Sequence, residues 1–205
     1  MSARTSNLIV IHCSATPSGQ RIDRGTPGKT GHLSAAQVIN SWHAVRGFKR
    51  SFAARQAFNP ELPSIGYHYV IDLDGTVLTG RHLDEIGAHA VQFNAHSIGI
   101  CLVGGAERSG RYTRAQWEAL AQLVLKLTAK LRIPLNPAIR VNKATSPGYD
   151  VLAGVCGHRD LSPDKNGNGM TEPFEWLKTC PGFDVDAWLS NGLRPLPIHI
   201  FAVDA

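Results

Sequence analysis

Residues 7–19, NLIVIHCSATPSG, carry an apolar, β-branched run from Asn7 to His12 that stops at Ser14, Thr16 and Pro17. An apolar run without alternation is the pattern of a strand buried on both faces, and the Ser, Thr and Pro that follow break it into a loop. This reading puts His12 at the end of a central strand. A strand buried on both faces needs helices on each side, so the fold expected is α/β, a mixed central sheet flanked by helices.

The signals on either side alternate between helix and strand. Ser34 precedes AAQVINSWHAVRG, where Val38, Ile39, Trp42 and Val45 recur at helical spacing and Gly47 follows as a stop, which predicts an amphipathic helix with an N-cap. Residues 50–64 read as a loop insertion closed by two prolines. GYHYVIDLDGTVLTGR, residues 66–81, sets two apolar runs around Asp74-Gly75, a strong hairpin signal. IGICLV, residues 98–103, predicts a strand ended by Gly104 and Gly105.

Thr113 caps the clearest helix of the chain, running to about residue 131, with Trp117, Leu120, Leu123, Val124 and Leu127 on one face. Residues 134–150 carry three prolines and little periodicity, so a surface loop is expected before VLAGVCGH, a short strand delivering His158. A last helix is expected from Val185 to Ser190. The domain is drawn as 1–192, followed by a tail at 193–205.

Composition bounds the chemistry. A chain of 205 residues with 43% hydrophobic content suits one domain. Its formal charge of +5 favours an anionic partner such as nucleic acid, an acidic lipid surface or a phosphate-rich cell wall. No basic cluster interleaved with aromatics and no recognition helix speaks for nucleic acid. The short apolar stretch near the N-terminus fits neither a signal peptide nor a membrane span, so synthesis in the cytoplasm, no membrane insertion and a monomer are expected. Cys13, Cys101, Cys156 and Cys180 then read as buried thiols or metal ligands rather than a disulfide framework.

Zinc takes three or four nitrogen or sulfur donors, and a catalytic site keeps one position for water. His12, His158 and Cys180, from three distant parts of the chain, could supply such a set, with Cys156 as the rival cysteine; spacing alone does not choose among the nine histidines.

Five strings narrow the choice: VIHCSAT (10–16), GYHYVIDLDGTV (66–77), GAHAVQFNAHSIGICLVGG (87–105), GHRD (157–160) and KTCPGFD (178–184). In order and spacing this chain resembles the zinc-dependent N-acetylmuramoyl-L-alanine amidases, the family of amidase-type phage lysozymes and peptidoglycan recognition proteins, over residues 7 to about 190. The resemblance implies zinc on His12, His158 and Cys180. It implies catalytic roles for Tyr67, beside the metal-activated water, and for Lys178. It places His89 and Asn94 along a substrate groove, where His89 either contacts the muramyl or peptide portion or supports and packs against the metal site, and His68, facing the opposite side of its strand, reads as structural. The implied activity is hydrolysis of the amide between N-acetylmuramic acid and L-alanine in peptidoglycan, by an endolysin or a delivered antibacterial effector that meets the wall after release or delivery. A peptidoglycan-binding module without turnover is the alternative on the same fold. Three competent donors at the ligand positions favour the enzyme.

Between two of those ligands, residues 164–175 satisfy the calcium-loop pattern D-x-[DN]-x-[DN]-G-x5-E. Asp164, Asn166, Asn168, the Met170 carbonyl and Glu175 would be the oxygen donors of a structural Ca2+. Pro163 precludes a regular entering helix, so the segment departs from a full EF-hand. A polar Asn/Gly turn is the competing reading.

Overall fold

A computed structural model describes residues 4–138, 153–168 and 171–201. Five strands form one mixed sheet in the order β3-β2-β4-β1-β5. Strand β1 (Leu8–Cys13) lies in it between β4 (Ser97–Leu102) and β5 (Gly154–Gly157), parallel to both. Strand β2 (Tyr69–Ile71) runs parallel to β4 and pairs antiparallel with β3 (Val77–Thr79) through the expected hairpin, where Gly75 takes a positive φ of 84°. All six residues of β1 are buried, as its unbroken apolar run requires.

Alternation along β1 divides the core in two. Ile9, Ile11 and Cys13 face α3 (Arg114–Leu131), joining Ile98, Ile100, Leu102, Trp117, Leu120, Val124, Phe183 and Trp188 in the larger cluster. On the other face α1 (Ala35–Val45) sets Ala35, Ala36 and Ile39 over Val70, Cys101 and Val103, while Leu8, Val10 and Cys156 form a smaller cluster. His12 shares that second face with Leu8 and Val10. Ser34 and Thr113 each close a capping box at the start of their helix.

Two local expectations need amending. Val45, counted on the apolar stripe of α1, is 91% exposed in its last turn. Residues 50–64 contain a short helix, α2 (Phe52–Ala57), capped by Ser51. None of its residues is buried, so it has no apolar period to betray it. It is held instead by Arg50, whose guanidinium donates to the carbonyls of Phe58, Asn59 and Leu62 and to the Glu85 carboxylate. Of the loop expected at 134–150, only residues 134–138 are described, and Pro137 there bridges to Val155.

Helix α4 (Val185–Ser190) follows Phe183, and the described part of the tail then returns to α3. The His199 carbonyl accepts from the Tyr112 amide at 2.9 Å and from the Trp117 indole at 3.3 Å. Among the described residues no helix is long and apolar enough to cross a membrane.

Gln116 ties α3 to the sheet. Fully buried, it accepts from the Thr113 amide at 3.0 Å and donates to the carbonyls of Val103 and Ile71 at 2.9 and 3.3 Å. Gln116→Ala takes this partner from the Val103 carbonyl and the Thr113 amide, while the Ile71 carbonyl keeps the Val103 amide, and is expected to cost about 2–3 kcal/mol. For a chain of this length that lowers Tm by roughly 4–12 °C. Glu118→Ala, on the exposed side of the same helix, should stay within about 0.5 kcal/mol of wild type. Equal melting temperatures for the two variants would contradict the tie.

Candidate metal centre

His12 is the fifth residue of β1 and is 1% exposed. His158 opens a 3-10 turn (His158–Leu161) directly after β5, the neighbouring strand. Cys180 comes from the segment before α4, which is tied to that turn where the Arg159 amide donates to the Cys180 carbonyl at 2.8 Å. Asp160 accepts from the Gly157 amide at 2.7 Å and fixes the turn. The three ligand atoms all lie within 4.8 Å of one another. Among the described residues no other group of three His, Cys, Asp or Glu approaches this closely.

The donor set suits zinc, which takes imidazole nitrogen at about 2.0–2.1 Å and thiolate sulfur at about 2.3 Å. Burial, then the neighbouring His89 and His158, holds His12 well below the ordinary imidazole value. Burial, then the Lys178 charge, lowers His158 in the same direction. Both rings therefore stay neutral and keep a lone pair for a metal. The neighbouring Cys13 thiol and burial push Cys180 up, so a metal must displace its proton. The Cys13 amide donates to the Cys180 sulfur at 3.1 Å, a hydrogen bond that supports the thiolate once formed.

Tyr67 stands beside His12, ring centroids 5.1 Å apart, and burial raises its hydroxyl well above the usual range, so it stays protonated. A groove of about 400 Å³ opens next to the set, lined by His89, Val91, Phe93, His158, Leu161 and the exposed Lys178. Asn94, expected along the groove, spends its side-chain oxygen on the amides of His89 and Ala90, at 2.8 and 2.9 Å, and so pins the loop that carries His89. His68 is fully buried; its Nδ1 accepts from the Gly99 amide and its Nε2 lies 2.9 Å from the Glu85 carbonyl.

Cys156, the rival cysteine, sits with Leu8 and Val10 in the small apolar cluster and outside the ligand set. His89, expected along the groove, also lies against His12, and one neighbour of the site, His43, went unread in the sequence. The His89 ring touches His12, with Nδ1 3.0 Å from His12 Nε2. His43 lies under Tyr67 with ring centroids 5.2 Å apart. The available signal for His43 was its place one turn after Ile39 on the buried stripe of α1.

In the 164–175 segment the oxygens serve the loop itself. Buried Glu175 accepts from the amides of Lys165, Asn166 and Glu172 at 2.6, 3.2 and 2.8 Å. Asp164 accepts from the Gly167 amide, and Asn166 from the Asn168 amide. Glu172, rather than Glu175, gathers the Asn166 and Asn168 carboxamides at 2.7 and 2.9 Å. Met170 lies outside the described residues.

Comparison with known proteins bears on this site. The family model described as N-acetylmuramoyl-L-alanine amidase matches residues 2–182. An uncharacterised protein of Haemophilus influenzae is 46% identical over 123 residues, 58% of this chain and 90% of its own length. The endolysin of Enterobacteria phage T3 is 28% identical over 188 residues, 90% of this chain and 85% of its own. The solved structure of N-acetylmuramoyl-L-alanine amidase LysC from Clostridium intestinale aligns over 92% of this chain and 85% of its own, with a TM-score of 0.55 at 21% identity, a likeness of fold.

Buried neutral histidines make stability depend on pH. Burial, then the charges of Arg46 and Arg81, lowers His43 to about 4, and burial lowers His68 to about 3. An unfolded imidazole takes up a proton near pH 6.5, whereas these folded rings refuse it until pH 4 or 3. Across that window the unfolded state binds more protons, so stability rises with pH and is lost progressively on acidification below about 6.5. His43→Gln keeps an acceptor for the Gly66 amide and should flatten the fall in Tm between about pH 6.5 and pH 4. A slope as steep as wild type would show that His43 does not titrate this way.

Proposed function

Because the chain belongs to the N-acetylmuramoyl-L-alanine amidase family, we propose that it cleaves the amide between N-acetylmuramic acid and L-alanine in peptidoglycan, with zinc held by His12, His158 and Cys180. The observation that carries this reading is the closeness of two neutral imidazoles and a thiol at the side of an open groove. Zinc bound there would supply Lewis acidity and bring a water toward neutral pKa.

The protein's own groups do the rest. Val91, Phe93 and Leu161 give the groove apolar walls against which a glycan or stem peptide can lie. Lys178, lining the groove, would supply a positive charge to the negative charge developing on the scissile carbonyl, and the protonated Tyr67 hydroxyl, beside His12, would offer it a hydrogen bond. His12 is buried and Tyr67 half-buried, so the hydrogen bond that Tyr67 offers is partly shielded from bulk water, whereas the exposed Lys178 acts from the solvent side. The formal charge of +5 favours approach to an anionic cell wall, in keeping with action there after release or delivery. The family and its endolysin relative support this substrate. The calcium reading of Asp164, Asn166, Asn168, Met170 and Glu175 is retained only as a question for titration, since Glu175 already holds the loop through its amides.

Digestion of purified peptidoglycan should release stem peptides with a free L-alanine amino group, detected by mass analysis, and zinc chelation should stop it. His12→Ala and Cys180→Ala should lose bound zinc and activity together, while Cys156→Ala keeps both. Tyr67→Phe and Lys178→Ala should keep zinc and lose activity by on the order of a hundredfold. Near-normal turnover in both would move the catalytic burden elsewhere. Calcium added to chelator-treated, zinc-reloaded protein should leave Tm unchanged if the amides hold the loop alone; a rise abolished by Glu175→Gln would restore a calcium site.

A further inference from the structure

His89 is the residue of the site whose surroundings are most elaborately built. Two glycines make a slot for its ring. A Cβ on Gly99, in the middle of β4, would lie 2.6 Å from His89 ring atoms, and one on Gly87 would lie 2.5 Å from them. Neither glycine has a positive φ, so the space that its missing side chain leaves, rather than backbone freedom, is what matters. Asn94 pins the His89 backbone from the other side. Both ring nitrogens have partners: Nδ1 lies 3.0 Å from His12 Nε2, and Nε2 lies 3.5 Å from the Ser97 hydroxyl, which donates in turn to the Phe93 carbonyl at 2.7 Å.

The directions along this chain follow from its last link. The Ser97 proton is given to Phe93, so the hydroxyl oxygen is free to accept from His89 Nε2–H. His89 Nδ1 is then an acceptor, and His12 must donate from Nε2–H. In the reverse arrangement His12 Nε2 would accept, Nδ1 would carry the proton, and His12 would have no lone pair left for a metal. His89 itself stands outside the ligand set, so it acts on the site through His12.

We propose that His89 is a positioning residue that locks His12 in the Nε2–H tautomer, so that His12 presents Nδ1 to the metal. The proposal rests on the zinc reading given above. It also reassigns His89 within the groove: with both nitrogens engaged, the ring offers substrate a surface to pack on rather than a hydrogen bond. Outer partners of this kind orient ligating imidazoles, and their loss typically costs about 10–100-fold in metal affinity.

Competition of apo protein with a chromophoric chelator measures zinc affinity directly. His89→Leu should bind zinc about 10–100-fold more weakly than wild type, and His89→Gln, whose amide oxygen can accept from His12 Nε2–H, should recover most of that loss. A role limited to filling the slot predicts no such difference between Leu and Gln. Equal affinity in wild type and His89→Leu, or a loss in His89→Gln as large as in His89→Leu, would overturn the proposal. Should the variants not fold, 15N-edited spectra of zinc-loaded wild type decide alone: a protonated His12 Nε2 supports the proposal, and a protonated Nδ1 with a ligating Nε2 overturns it. A wild type that hydrolyses peptidoglycan without binding zinc would instead end the zinc reading.

Discussion

Strand β1 is hydrogen-bonded along both edges and buried on both faces, and the site depends on that confinement. Its parallel register with β5 sets Ile11 against Gly157, so His12 and His158, one residue further along each strand, emerge side by side. Their ring centroids are 4.7 Å apart. Its register with β4 sets His12 against Cys101 and brings Gly99 two residues earlier on the same face, under the His89 ring. A one-residue slip would turn His12 toward α3 and place Ile11 beside His158 and Cys180 instead. The apolar residues of β1 make such a slip expensive on either face.

Cys180, the third member of the candidate donor set, arrives from outside the sheet, and its placement relies on polar links rather than on packing. The Arg159 amide holds the Cys180 carbonyl, and the Ser162 hydroxyl accepts from the Leu177 amide at 3.0 Å. Glu175 gathers three amides across the intervening loop. The Tyr112 hydroxyl, buried in the main core, donates to the Pro181 carbonyl. Cys180 is thus fixed from both sides of its segment, as a donor from a loop must be if it is to meet two strand-end histidines at a fixed distance.

What could be read from the residues alone follows physical range. The β1 run, the Asp74-Gly75 hairpin and the Thr113 helix announce themselves because each is decided by neighbours within a few positions. Helix α2 did not, because it is anchored by Arg50 reaching carbonyls and a carboxylate rather than by an apolar face. His12, His158 and Cys180 could be listed as possible donors, yet only the ordered family strings singled them out, since their meeting depends on strand register across the chain. Asn94 and Glu175 show another limit: in residue types suited to a substrate or a cation, the side-chain oxygens also accept from backbone amides, a use that the sequence does not announce.

The histidines around His12 share one electrostatic logic. His43 Nδ1 accepts from the Gly66 amide and His68 Nδ1 from the Gly99 amide, bonds that only an unprotonated nitrogen can make. Burial opposes charging of His12, His43, His68 and His89 alike, so the neighbourhood stays neutral although it is rich in titratable rings. On the proposed reading, the Cys180 thiolate is then the sole charged member of the ligand set. One negative ligand against a divalent cation would leave a net positive centre, and Lys178 would add its charge from the groove. Among the described groove-lining residues no carboxylate would oppose that excess, so it would remain available to the negative charge that develops on an amide under attack.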